Sequence, residues 1–128
     1  NLPLVTAIIE DNISLSISIE EETMTSVLNH LVQNAQEATN PQGWVKVKAS
    51  LLGEELHIAV VDNGVGMSEE FIQKRLFKPF DTTKGNAGMG IGVYEAQEYI
   101  LQQKGSINVK SKIGQGTTFT LSFPVALN

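Results

Sequence analysis

Apolar and polar positions alternate strictly near the start of the chain. Ile13, Leu15, Ile17 and Ile19 stand against Ser14, Ser16 and Ser18, the period of a half-buried strand. The spacing then lengthens to that of a helix. Met24, Val27, Leu28, Leu31, Val32, Ala35 and Ala38 fall on one side of it. Ser18 and Glu21 have capping-box spacing before this helix, and Pro41-Gln42-Gly43 stops it. Alternation returns in a hairpin. Val45, Val47, Ala49 and Leu51 oppose Trp44, Lys46, Lys48 and Ser50, and beyond a turn at Gly53-Glu54, Leu56, Ile58 and Val60 oppose His57 and Ala59. A short helix is predicted from about Glu69 to Lys74, an irregular stretch over about 76 to 88, and a long helix from about Gly90 to Gln103. Strands at about 106–111 and 117–124 close the chain, with Ile107 and Val109, then Phe119, Leu121 and Phe123, on one face.

Strands with one apolar and one polar face imply a sheet covered by helices on one side only. The predicted class is α+β: a two-layer α/β sandwich on a mixed, mostly antiparallel sheet.

Composition narrows the picture. The 128 residues suit one domain, 1–128, with 41% hydrophobic and 18% charged residues. No apolar run approaches the roughly 18 residues of a membrane span, so no direct membrane contact is expected of this domain. With no cysteine there are no disulfides or thiolate metal sites, which fits a reducing, cytoplasmic setting. A net charge of −5 argues against nucleic acid as a partner. The first residue is Asn1 rather than Met, as in a piece of a longer chain.

Four features carry the chemistry. Asp62-Asn63-Gly64-Val65-Gly66 places a carboxylate at a strand end, where it can accept a hydrogen bond from the exocyclic amine of adenine. Gly64 and Gly66 clear side chains from where a flat base approaches the backbone, although Asp-Asn-Gly is also a common turn. Gly88-Met89-Gly90-Ile91-Gly92 lacks the Lys-Ser/Thr of a P-loop but opens an amphipathic helix, and free amides at a helix start favour phosphate oxygens. Asn34 interrupts an apolar helix; it reads either as a neutral oxygen ligand for Mg²⁺ or as a structural amide. Gly116-Thr117-Thr118-Phe119 begins the last strand. Neither histidine belongs to a cluster with transition-metal spacing. Phe77 and Phe80 read as loop anchors or as ordinary core residues.

In this order the motifs resemble the catalytic ATP-binding domain of sensor histidine kinases, in the superfamily that includes gyrase, Hsp90 and the MutL mismatch-repair proteins. The resemblance runs from about Ile13 to Pro124. His30 to Ala38, containing Asn34 and Glu37, is similar to the N box, Asp62 to Gly66 to the G1 box, and Phe77 to Phe80 to the F box. Gly88 to Gly92 is similar to the G2 box, and Gly116 to Phe119 to the final glycine-threonine motif. The resemblance implies the Bergerat ATP-binding fold with ATP and Mg²⁺ as cofactors. It implies that Asp62 binds the adenine amine with Thr117 supporting that edge, and that Asn34 holds the metal. It further implies that Gly88, Met89, Gly90, Ile91 and Gly92 present amides to the phosphates, and that a lid from about Asp81 to Ala87 brings Lys84 toward them.

Three positions depart from the family pattern. His30 replaces a frequent Asn, Glu37 a frequent Lys or Arg, and Met89 a common Thr. Gyrase-like ATPases carry a water-activating Glu four residues before the Asn, where this chain has His30. Phosphoryl transfer leans on positioning and charge neutralisation instead, which favours a kinase. No histidine here has an acceptor context. The resemblance therefore implies that the γ-phosphoryl group goes to a histidine on a separate helical phosphoacceptor domain of the same protein, and then to a response regulator. The parent protein could be membrane-anchored, while this piece alone is expected to be a monomer. The competing readings are a regulatory ATP-binding module, such as an anti-sigma-type serine kinase or a pseudokinase, and a gyrase-type ATPase.

Overall fold

The computed structural model describes residues 2–9, 21–77 and 87–124. The strand expected over Ile13 to Ile19 lies outside them, as do Ser18, Phe80 and residues 81–86 of the expected lid. The elements run β1 (Leu4–Ile9), α1 (Glu21–Glu37), β2 (Trp44–Leu52), β3 (Glu55–Asp62), α2 (Glu69–Phe71), α3 (Ala87–Gln102), β4 (Ser106–Lys112) and β5 (Gly116–Pro124). The strands form one sheet in the order β1-β2-β3-β5-β4. β1 is parallel to β2 and the other pairs are antiparallel. A mixed, mostly antiparallel sheet with helices on one face is the expected α+β architecture.

Local chemistry accounts for the elements. The hairpin β2–β3 turns at Gly53, whose φ of 62° suits a residue without a Cβ. Ser68 caps α2 by accepting the Phe71 N–H, with Glu69 and Glu70 in the first turn facing the positive end of the dipole. Beyond α2 the chain widens to a π-helical turn, Ile72–Leu76, which buries Leu76. α1 ends at Glu37, short of Pro41. Thr39 ends it by turning its hydroxyl onto the Ala35 carbonyl at 2.7 Å, a back-bond that competes with the helical ladder.

One core lies between the sheet and the helices. Val45 from β2, Val60 from β3, and Leu121 and Phe123 from β5 meet Leu31 of α1 and Val93, Ala96 and Ile100 of α3, all almost wholly buried. Truncating one of these large side chains costs about 2–5 kcal/mol. β1 was not foreseen: Leu-Val-Thr-Ala-Ile-Ile has no alternation to signal it, and as an edge strand it leaves Leu4 81% exposed.

The connections fix where the helices point. α1 leads through Thr39 into the start of β2, where Val45 pairs with Asp62. α3 leads through Gly105 to Ser106, which pairs with Ser122 at the opposite end of the sheet. The two helices pack together and therefore run antiparallel. The end of α1, the start of α3 and Asp62 all lie at one end of the sandwich.

Candidate functional site

Asp62 is the last residue of β3, opposite Val45 and Thr117. It points to the core side of the sheet and is 6% exposed. Its Oδ1 accepts the Gly64 N–H at 2.8 Å, closing an Asx turn. Burial pushes its carboxyl above the ordinary value of 3.8. Hydrogen bonds from the Gly64 and Thr117 amides and from the Thr39 hydroxyl pull it back. The single Thr39 proton is contested between Asp62 and the Ala35 carbonyl.

The glycines after Asp62 also answer a packing need within the protein. A Cβ at Gly64 would collide with the Ala38 carbonyl oxygen, and one at Gly66, where φ is +74°, with the Lys112 carbonyl oxygen. The clearance lets the loop pass between the end of α1 and the β4–β5 turn. Val65 N–H then donates to the Ala38 carbonyl at 2.9 Å, and Gly114 N–H to the Val65 carbonyl at 2.8 Å.

Thr117 is 7% exposed, and its hydroxyl lies 2.7 Å from that of Ser111. Ser111 also accepts the Met67 N–H at 2.7 Å and approaches the Gly116 carbonyl at 3.0 Å. Asn63 accepts the Trp44 N–H at 2.8 Å. Thr39, Ser111 and Asn63 thus hold the Asp62 loop from three sides; Asn63 stood in the sequence motif without a role of its own, and Thr39 and Ser111 were not singled out. Thr39, just past a helix, had a weak local signal. Ser111 had none, since its bond to Met67 spans 44 residues.

Asn34 is 7% exposed in the wall formed by α1, and its amide nitrogen is enclosed without a partner among the described residues. An unpaired buried amide costs about 1–3 kcal/mol. Among the described residues no group of three or more His, Asp or Glu could hold a metal. What this end of the molecule offers a cation is the Asn34 amide oxygen, a neutral hard ligand beside a helix start; the amide nitrogen is a donor and not a ligand. That donor set fits Mg²⁺, which keeps its waters and takes phosphates as ligands. The Gly88 to Gly92 backbone forms the first turns of α3 at the same end. The structure places Asn34, Asp62, Gly64, Gly66, Thr117 and the backbone of Gly88, Met89, Gly90, Ile91 and Gly92 at the same end of the sandwich, while Lys84 lies outside the described residues.

Of the departures from the expected pattern, His30 is partly exposed, with Nδ1 3.9 Å from Glu95 Oε2 on α3. Glu37 is exposed at the end of α1. Phe77 packs against the core.

Residues 19–127 match the family model described as histidine kinase-, DNA gyrase B- and HSP90-like ATPase. The chain belongs to this family. Within it, the sensor histidine kinase ZraS of Escherichia coli K12 is 36% identical over 109 residues, 85% of this chain and 23% of ZraS. The histidine-protein kinase AtoS of the same organism is 34% identical over 116 residues, 90% of this chain and 19% of AtoS. The chain thus spans about a fifth of the length of these relatives. The catalytic domain of histidine kinase ThkA superposes with a TM-score of 0.81 at 28% identity, covering 95% of this chain and 80% of that domain. The resemblance read from the motifs, to the catalytic ATP-binding domain of sensor histidine kinases, is borne out.

Proposed function

We propose that this chain binds Mg-ATP and donates the γ-phosphoryl group to a histidine on a separate helical phosphoacceptor domain of a longer sensor kinase, from which a response regulator receives it. The observation that carries the reading is the buried Asp62 at the open end of the sheet. A carboxylate has about four acceptor positions. Gly64, Thr117 and Thr39 engage at most three of them, which leaves capacity for the adenine amine, a donor that guanine lacks at that position. Family membership supports ATP as the nucleotide.

Roles follow from position. Asp62 orients the base, with Thr117 beside it. Asn34 would hold Mg²⁺, which supplies charge neutralisation on the phosphates. The amides of Gly88, Met89, Gly90, Ile91 and Gly92, with the helix dipole behind them, receive phosphate oxygens. Lys84 would add a cation. Transfer forms a bond from an acceptor imidazole nitrogen to the γ-phosphorus and breaks the bond to the β,γ-bridging oxygen, releasing ADP. The chain itself contributes positioning and electrostatics. His30, where gyrase-like relatives carry the water-activating Glu, is turned toward Glu95 on α3, which favours transfer over hydrolysis.

The test is incubation with γ-labelled ATP. The chain alone, a monomer by this reading, should acquire no acid-labile label and release phosphate only at background. Adding a helical phosphoacceptor domain should place label on that domain's histidine. Robust phosphate release by the chain alone would favour the ATPase reading, with His30 the first residue to replace.

A further inference from the structure

The face of the sheet away from the helices carries a charge pattern opposite to that of the chain. Thr6, Lys46, Val61, Thr118 and Lys110 are successive partners across all five strands. Ile8, Lys48, Ala59, Thr120 and Asn108 form the next row. Lys112, two residues beyond Lys110 on β4, points the same way. Among the described residues, four of the seven basic ones therefore lie on this face, and of the acidic ones in the strands Glu55 shares it. Glu55 sits at the far end of the sheet, engaged by His57 Nε2 at 3.2 Å. A chain of net charge −5 concentrates positive charge here.

The lysines also have a shape. Lys46 and Lys48 stand on β2, and Lys110 and Lys112 on β4. With β3 and β5 between them, the two rims lie three strand spacings apart, about 14 Å. The floor is Ala59, Val61, Thr118 and Thr120, all short and half-buried. The result is a flat, mildly apolar trough with cationic walls. An α-helix with its side chains is about 10–12 Å across, so one helix fits between the walls and lies along β3 and β5. Its apolar stripe would meet the floor, and acidic residues on both flanks would meet the lysines. Trp44 stands at the open end on the β2 side, 36% exposed, with Lys46 Nζ 4.4 Å from its ring centroid.

We infer that the open face of the sheet docks an acidic amphipathic helix of a partner protein. Charge complementarity and trough width select this occupant. An anionic bilayer is a poorer match. It would meet the field of a net-negative chain, whereas a helix lying in the trough comes within about one Debye length, 8 Å, of the lysines. The inference does not depend on the nucleotide reading.

Trp44 is the chain's single tryptophan, so its emission reports on this face. The probe is a synthetic helical peptide of about 14 residues, long enough for about 21 Å of trough, with leucines at i, i+4, i+7 and i+11 and glutamates on both flanks. It should shift Trp44 emission saturably. Affinity should fall at least tenfold in Lys48→Glu/Lys110→Glu, which leaves the Lys46–Trp44 pair intact, and should fall again at 0.5 M salt. A matched peptide with lysine in place of glutamate should leave emission unchanged. Unchanged far-UV circular dichroism and an unchanged urea midpoint in the double variant would show that it folds. The inference is overturned if the acidic peptide produces no shift, if it binds the folded double variant as well as wild type, or if the basic peptide binds equally. A shift given by phosphatidylserine vesicles but not by the acidic peptide would assign the face to membrane instead.

Discussion

Replacing Asp62 with asparagine isolates the interaction on which the nucleotide reading rests. The change is nearly isosteric, and an asparagine Oδ1 can still accept the Gly64 N–H now bound at 2.8 Å. The amide nitrogen must then occupy the other carboxylate position. That turns an acceptor into a donor facing the donor amine of adenine. If the side chain flips instead, the Gly64 bond is lost and an N–H opposes an N–H within the loop. In either arrangement one charge-assisted hydrogen bond disappears, worth about 1.5–3 kcal/mol. At about 1.4 kcal/mol per factor of ten, the loss is roughly ten- to one-hundred-and-fifty-fold in affinity. Calorimetric titration of ATP with Mg²⁺ into wild type and Asp62→Asn measures it, with thermal unfolding to show that the variant is folded. A folded variant that binds ATP like wild type would refute the assignment of Asp62 to the adenine amine.

The same substitution should alter the response to pH. Burial raises the Asp62 carboxyl in the folded state, so the folded chain holds this proton more tightly than the unfolded one. The group's contribution to stability is therefore most favourable at low pH and declines as pH rises through and above 3.8. Denaturant midpoints should shift in favour of Asp62→Asn as pH rises through that window; a constant difference between variant and wild type would contradict the burial argument. Asn34→Ala should leave the melting temperature nearly unchanged, because the Asn34 amide nitrogen makes no hydrogen bond among the described residues, while weakening ATP binding with Mg²⁺ more than without. Equal losses in both conditions would mark it as a structural residue. Gly66→Ala meets both a φ of +74° and the Lys112 carbonyl, and should cost about 1–3 kcal/mol in urea unfolding; a neutral result would mean that the loop relaxes freely.

What was legible in the sequence follows from the range of the forces. The helices, the hairpin and the closing strands announced themselves by periodicity, because each buries one face. Asp62, Asn34 and the glycines stood out because their residue types are locally unfavourable or conformationally special. The scaffolding of the site did not stand out. The Ser111 hydroxyl accepts the Met67 N–H, and Val65 N–H reaches the Ala38 carbonyl, contacts that leave no local pattern. The packing role of Gly64 and Gly66 was hidden for the same cause: the crowding that requires them comes from distant backbone. β1 was missed because a short apolar edge strand has neither alternation nor turn signals around it. The basic trough shows how far strand order matters, since Lys46 and Lys110 are unremarkable until β3 and β5 come between them.

Titration of the wild-type chain with ATP and GTP, each with and without Mg²⁺, tests the central claim most directly. ATP should bind saturably and more tightly when Mg²⁺ is present. GTP, which lacks the exocyclic amine that Asp62 would accept and presents a carbonyl oxygen to the carboxylate instead, should bind at least tenfold more weakly. Equal affinity for the two nucleotides, or no binding of ATP by the folded chain, would contradict the account.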